Sequence, residues 1–214
     1  EEKKITPETV ITVPYALKRS TKLFRDHDKH PTQYLTTAGI LAVSSNTGSI
    51  KIGELLSNDK FYEYLTKFGV GSKTGSGLPG ESRGILPKVA DWSGTSAPTI
   101  AFGQGYSLTA MQATSIFATI ANDGVRVSPT VIAGTRDSSG NFTPAPGRTS
   151  ERVVSSETAK AMRLMMESVV SGNGTAPSAA IPGYRVAGKT GTAQRIDDTC
   201  GCYRGYTASF IGFA

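Results

Sequence analysis

Helical spacing of apolar positions recurs in five stretches of this chain, and two-residue alternation marks its end. Residues 36–43 predict a short, mostly buried helix. Two further helical patterns cover residues 50–56 and 59–68, with Asp59 as N-cap and Gly69 as stop for the second. The strongest pattern opens at Thr109. Thr109-x-x-Gln112 is a capping box, Ala113, Ile116, Phe117 and Ile120 line one apolar face, and Gly124 ends the run. Ser156 caps a fifth helix, whose stripe of Met162, Met165, Met166, Val169 and Val170 predicts core packing.

Strand signals are shorter. Residues 10–13 form a β-like run stopped by Pro14, and residues 126–135 form another. Residues 184–193 and 205–213 alternate as an antiparallel pair joined across Cys200-Gly201-Cys202. Residues 1–4 look like the tail of a helix. Residues 18–31 predict a polar surface loop, and residues 69–80, with five glycines and one proline, a second loop. Residues 81–104 predict irregular chain in which Trp92 packs under a loop. Residues 138–141 predict a turn and residues 144–146 a surface crossing. Together these elements predict an α+β fold with an antiparallel sheet flanked by helices.

Composition adds little to that picture. With 214 residues, 38% hydrophobic and 19% charged, one large domain or most of one is expected. The net charge of +6 raises the question of an anionic partner. Its densest cluster, Lys18-Arg19-Ser20-Thr21-Lys22, is short and interrupted, and no zinc-finger or RNP-like pattern occurs, so a solvated basic surface is expected and no nucleic acid. No apolar run reaches the ~18 residues that span a bilayer, and the first residues are no signal peptide, so the protein is cytosolic or its targeting segment lies outside this chain. Cys200 and Cys202 are expected to be an oxidised or structural pair. His27 and His30 have metal-ligand spacing, but Pro31 follows and no third ligand is in sight, so solvated histidines, no metal and no cofactor are expected.

Candidate chemistry centres on residues 184–193. Lys189, Thr190 and Thr192 put a cation and two hydroxyls on one predicted strand, suited to the anionic group of an extended ligand, and Gly191 permits close approach. The stretch also spells G-x-x-x-x-G-K-T, from Gly183 to Thr190. A phosphate loop requires a glycine-rich turn followed by a helix, and here strand formers precede the lysine and another strand follows. A second Lys-Thr-Gly, Lys73-Thr74-Gly75, lies in the glycine-rich loop and not in a strand pattern. Ser44-Ser45-Asn46 follows the first predicted helix, where capping alone would explain it.

In combination the motifs say more than each alone. Serine-lysine acyl transfer needs a nucleophilic serine, a lysine near it, a relay hydroxyl, an amide and a donor edge for carboxylate and oxyanion. Ser44-Ser45-Asn46 and Lys189-Thr190-Gly191-Thr192 stand for the second and third elements of the S-x-x-K, S-D-N, K-T-G set. Further matches are Gly77-Leu78-Pro79-Gly80-Glu81-Ser82, residues 103–109 leading into Gln112, and Ala121-Asn122-Asp123-Gly124. With these the chain resembles, nearly end to end, the transpeptidase domain of class B penicillin-binding proteins, and most of all the septal, cell-division branch.

The resemblance implies a penicillin-binding/serine β-lactamase-like fold, with residues 1–214 a partial domain incomplete at both ends. It implies peptidoglycan D,D-transpeptidation through a seryl acyl-enzyme, inhibited by β-lactams, in septal wall synthesis. Ser44 would pass protons between the nucleophile pair and Lys189. Asn46 would hydrogen-bond the donor peptide and orient the catalytic lysine, while Lys189 would tune the site electrostatically. Thr190 and Thr192 would bind the terminal carboxylate, the Thr192 N–H would supply half the oxyanion hole, and Gly191 would keep the strand edge open. The family's nucleophile should precede Ser44 and is absent from this chain; Ser57-Asn58-Asp59-Lys60 matches the letters in the wrong order. The implied partners are peptidoglycan stem peptides, β-lactams and division-complex membrane proteins. The implied location is the extracytoplasmic face of the bacterial cell membrane, with anchoring through an N-terminal segment outside these residues. A non-catalytic division scaffold on the same fold, or a β-lactamase-like hydrolase, are the alternatives.

Overall fold

Short strands come first. β1 (Val10–Val13), β2 (Ala16–Arg19), β3 (Lys22–Arg25) and β4 (Gln33–Thr36) form two antiparallel ribbons, β1 with β4 and β2 with β3. This computed structural model describes the backbone of residues 1–214 and every side chain but that of Ile196. The β2–β3 hairpin replaces the surface loop expected over residues 18–31. Phe24 is its one buried residue, so the apolar alternation that would reveal a strand is missing. Residues 1–4 are not helical either. Their acids serve tertiary contacts: the Glu1 carboxylate accepts from the Ser155 N–H at 2.9 Å, and that of Glu2 accepts from the Tyr64 hydroxyl at 2.6 Å.

Helices follow where hydroxyls cap them. In α1 (Thr37–Val43) the Thr36 hydroxyl accepts from Gly39 N–H at 3.0 Å, and in α2 (Asn46–Gly53) Ser45 does the same for Gly48 at 2.9 Å. The first turn of α2 is polar and small, which hides it from a hydrophobic pattern beginning at residue 50. α3 (Asn58–Lys67) is capped by Ser57 and not by Asp59, and Gly69 closes it at φ +91°. The irregular stretch 81–104 contains α4 (Ser96–Ala101). Pro98 falls in its first turn, where no intrahelical donor is needed.

The expected capping box opens α5 (Ala110–Ala121). The strand expected over residues 126–135 is two strands, β5 (Val125–Val127) and β6 (Gly134–Arg136), split around Pro129. β6 turns back on β7 (Phe142–Pro144), and β5 pairs with β8 (Ser150–Arg152). Ser155, one residue before the serine expected, caps α6 (Ser156–Val170). The closing ribbon is β9 (Ala187–Asp197) with β10 (Cys202–Phe213), Lys189 opposite Ile211 and Thr192 opposite Ala208. The chain thus has the α+β antiparallel character expected, with its strands in two-stranded ribbons.

Helix α6 is the spine. One face buries Ala159, Met166, Val169 and Val170, each worth about 1.5–3 kcal/mol for the larger side chains. Both α1 and β9 pack against it, while α5 leans on both α6 and β10. The core unites Ile120, Val153, Val154, Ala159, Met166 and Ala187 with Leu41, Phe68 and Phe213 around it. Arg163 ties α6 to the end of α5, donating to the Ile120 carbonyl and the Asp123 carboxylate at 2.8 Å each. Because α6 holds both α1 and β9, the end of α1 comes to lie beside the start of β9.

Candidate functional site

Ser44 is where α1 ends. It adopts the left-handed conformation (φ 57°, ψ 43°), and with the extended Ser45 after it turns the chain from α1 into α2. Ser45 spends its hydroxyl on capping α2, as the local sequence suggests for the pair. The Ser44 hydroxyl is left exposed, and it accepts a hydrogen bond from Lys189 Nζ at 2.7 Å. The two residues are 145 positions apart in sequence.

Lys189 is half-buried at the start of β9. Its ammonium also donates to the Thr190 carbonyl at 3.1 Å and lies 3.4 Å from Thr190 Oγ1. Among the described residues no carboxylate forms an ion pair with it. Desolvation without a counter-charge pulls its pKa below the ordinary lysine value. Such a lysine holds its proton less tightly and sits in contact with a hydroxyl, which is the arrangement a proton relay requires.

Strand β9 is hydrogen-bonded to β10 along one edge only. Its opposite edge offers backbone donors and acceptors to an added extended peptide. Thr190 and Thr192, two residues apart, share one face of the strand. Gly188 is required by the fold: an added Cβ would lie 2.4 Å from Phe210 Cζ and 2.9 Å from the Ile211 carbonyl oxygen. A Cβ on Gly191 would meet Ser209 Oγ at 2.7 Å.

The structure thus brings together Ser44, Lys189 and Thr190. Thr192 is exposed two residues further along β9. Asn46 begins α2, and its side-chain amide donates to the Arg25 carbonyl at 2.9 Å instead of meeting Lys189. A residue without any sequence signal joins the site: Thr175 Oγ1 lies 2.7 Å from Thr190 Oγ1, and only packing of the turn after α6 against β9 puts it there.

Other sequence candidates are accounted for elsewhere. Ser57 caps α3 and Lys60 pairs with Glu63 at 3.0 Å, so Ser57-x-x-Lys60 is committed to helix structure. The loop Lys73-Thr74-Gly75 is braced by Glu81, whose carboxylate accepts from the Thr74 N–H at 2.7 Å. The segment spelling a phosphate loop runs into β9 and not into a helix. Cys200 and Cys202 form a disulfide at the hairpin tip. Trp92 packs edge-on against Phe61 and Tyr62, as expected. The histidines do not behave alike. His27 is exposed, whereas the His30 side chain is 14% exposed and bonded to Asp26 and the Pro31 carbonyl, because the hairpin folds it against Tyr15. Among the described residues no cluster of three or more metal-ligating side chains occurs.

Comparison with known proteins agrees with this geometry. Residues 1–214 match the family described as penicillin binding protein transpeptidase domain. Penicillin-binding protein PbpB of Mycolicibacterium smegmatis is 42% identical over 216 residues, covering 97% of this chain and 33% of that protein. Peptidoglycan D,D-transpeptidase FtsI of Buchnera aphidicola is 33% identical, covering 100% of this chain and 36% of that one. The crystal structure of penicillin-binding protein 3 from Mycobacterium tuberculosis complexed with aztreonam superposes with a TM-score of 0.95 at 40% identity, over 98% of this chain and 49% of that one. The chain spans about a third of the length of the curated relatives it matches. A family match over every residue, a superposable relative and a serine-lysine contact between the two expected motifs converge: the chain belongs to the penicillin-binding protein transpeptidase domain family.

Proposed function

We propose that the protein containing this chain is a serine-type peptidoglycan D,D-transpeptidase, cross-linking stem peptides during septal wall synthesis and blocked by β-lactams. The observation that carries the reading is the 2.7 Å contact from Lys189 Nζ to Ser44 Oγ beside a free strand edge. It is supported by a relative named a D,D-transpeptidase and by another crystallised with aztreonam.

The chemistry runs through these groups as follows. A donor peptide adds to the edge of β9, its terminal carboxylate received by the Thr190 and Thr192 hydroxyls beside the Lys189 charge. The attacking serine, with its lysine, is supplied by another part of the protein. Ser44 carries the proton between that pair and Lys189, and the Thr192 N–H meets the developing oxyanion. Asn46 orients the incoming lysine and the peptide once they are present, and Gly191 lets the peptide lie close. The site works on the extracytoplasmic face of the membrane, with anchoring and division-complex contacts made by other parts of the protein.

The test is acylation of the full-length protein by a fluorescent penicillin. Covalent labelling is expected, unchanged in rate in the Ser57→Ala variant, which loses only a helix cap worth about 1 kcal/mol. An intact, folded full-length protein that takes no label sinks the transpeptidase reading. Labelling that vanishes in Ser57→Ala moves the nucleophile to Ser57 and overturns its assignment.

A further inference from the structure

Behind the Ser44 turn lies a buried polar cluster centred on Asp26 and His30, which lie outside both motifs. Asp26 follows β3, with its side chain 9% exposed. Its Oδ1 accepts from the Thr47 N–H at 2.8 Å, in the first turn of α2. Its Oδ2 accepts from the Ser45 hydroxyl at 2.7 Å and from His30 Nε2 at 3.1 Å, and Thr47 Oγ1 lies 3.3 Å away. Thr47, fully buried, donates its own hydroxyl to the Pro14 carbonyl at 2.7 Å. Asn46 is held from the same hairpin by the Arg25 carbonyl. The β2–β3 hairpin and the residues flanking it therefore grip the first three residues after Ser44 through the Asp26 carboxylate and the Pro14 and Arg25 carbonyls. A negative charge at a helix N-terminus also complements the helix dipole.

His30 fixes the position of that carboxylate. Its Nδ1 faces the Pro31 carbonyl at 2.6 Å, and its Nε2 faces Asp26. Both neighbours present acceptor oxygens, which favours a hydrogen on each ring nitrogen and so the charged form of the ring. The Pro31 carbonyl, followed by Asp26, accordingly raises the His30 pKa above its ordinary value against the opposing effect of burial. Tyr15, edge-on at 5.8 Å, is the other titratable group packed against the ring, and His27, Asp28 and Lys29 on its own loop are exposed.

We propose that Asp26, fixed by His30, is a positioning residue for the acyl-transfer site: it locks the first turn of α2 so that the Ser44 hydroxyl points at Lys189. Ser44 and Ser45 are the two-residue hinge between α1 and α2, so slack in α2 rotates the Ser44 hydroxyl away from Lys189 Nζ. A displacement of about 1 Å at a reacting group costs on the order of 100-fold in rate. The inference rests on the transpeptidase reading, and the two can fail separately.

The experiment compares full-length wild type with Asp26→Asn and His30→Gln, measuring acylation by fluorescent penicillin and thermal unfolding of each. Asparagine cannot accept from both the N–H of Thr47 and the two facing side-chain donors, so a folded Asp26→Asn should acylate about 10- to 100-fold more slowly. Acylation within about twofold of wild type in that folded variant overturns the proposal. Should Asp26→Asn not fold, His30→Gln decides. Loss of the imidazolium matters only while the wild-type ring is charged, so the wild-type to variant rate ratio should fall toward one from about pH 6 to about pH 9. A ratio that stays flat overturns the proposal, since a merely structural role would not track ring charge. Wild type that takes no label sinks the transpeptidase reading, and the ring is then followed by NMR titration in the same protein. A His30 pKa at or below its ordinary value would sink the clamp as well.

Discussion

Replacing Ser44 by alanine separates two roles that its contact with Lys189 allows. The residue is exposed, and alanine meets the same left-handed backbone strain at φ 57°, so unfolding free energy should change by no more than about 0.5 kcal/mol. If Ser44 only received the 2.7 Å bond from the ammonium, its loss would be that of one charge-assisted hydrogen bond. Such a bond is worth about 1.5–3 kcal/mol, and solvent exposure places this one at the low end. At about 1.4 kcal/mol per decade that is a roughly tenfold slower reaction. If Ser44 carries the proton, the loss is that of general acid–base catalysis, about 100- to 10,000-fold or about 2.7–5.4 kcal/mol of barrier. We expect the larger loss. The assay is the second-order rate of acylation of the full-length protein by a fluorescent penicillin, alongside its thermal unfolding. A folded Ser44→Ala protein slowed only tenfold or less refutes the relay and reduces Ser44 to a hydrogen-bond partner.

Two further outcomes bear on β9. Burial depresses the Lys189 pKa in the folded state, so the unfolded chain binds more protons between that lowered value and the ordinary 10.5, and the penalty for burying the charge is fully present below the lowered value. Stability relative to Lys189→Met should therefore rise with pH through that window in urea titrations, and a difference that is constant with pH contradicts the desolvated site. Gly188→Ala forces its new methyl against Phe210 and the Ile211 carbonyl, and since the backbone oxygen has nowhere to go, a loss of about 1–3 kcal/mol is expected as a lower urea midpoint at unchanged slope; a midpoint equal to wild type would show that β9 and β10 are not this close.

Local physics made part of this protein legible from its letters. Helix caps act within four residues, so the capping box of Thr109 with Gln112 could be placed from sequence spacing, while the helix ends at Ala121, three residues before the Gly124 stop expected. The alternation of residues 205–213 identified a strand for the same reason. Local rules erred by a position or two where several hydroxyls compete, as at Ser155 against Ser156 and Ser57 against Asp59. They failed where tertiary contacts replace local signals. The β2–β3 hairpin buries only Phe24, and residues 1–4 are held by partners more than sixty positions away.

The motifs themselves were visible as two short strings, Ser44-Ser45-Asn46 and Lys189-Thr190-Gly191-Thr192, and family resemblance supplied their order and meaning. Neither string contains the reason that they meet. That reason is α6, against which both α1 and β9 pack, bringing Nζ and Oγ to 2.7 Å. Thr175, and the bonds by which Asp26 holds Ser45 and Thr47 beneath the Ser44 turn, are likewise consequences of packing, since hydrogen bonds between residues fifteen or more positions apart leave no periodicity behind. Sequence alone determined the capped helices, the closing hairpin and the chemical groups available, because those depend on neighbours along the chain. Which hydroxyl faces the lysine, how far its charge is desolvated and what holds the turn in place were decided by the tertiary structure, because burial and through-space distance exist only once the elements are packed.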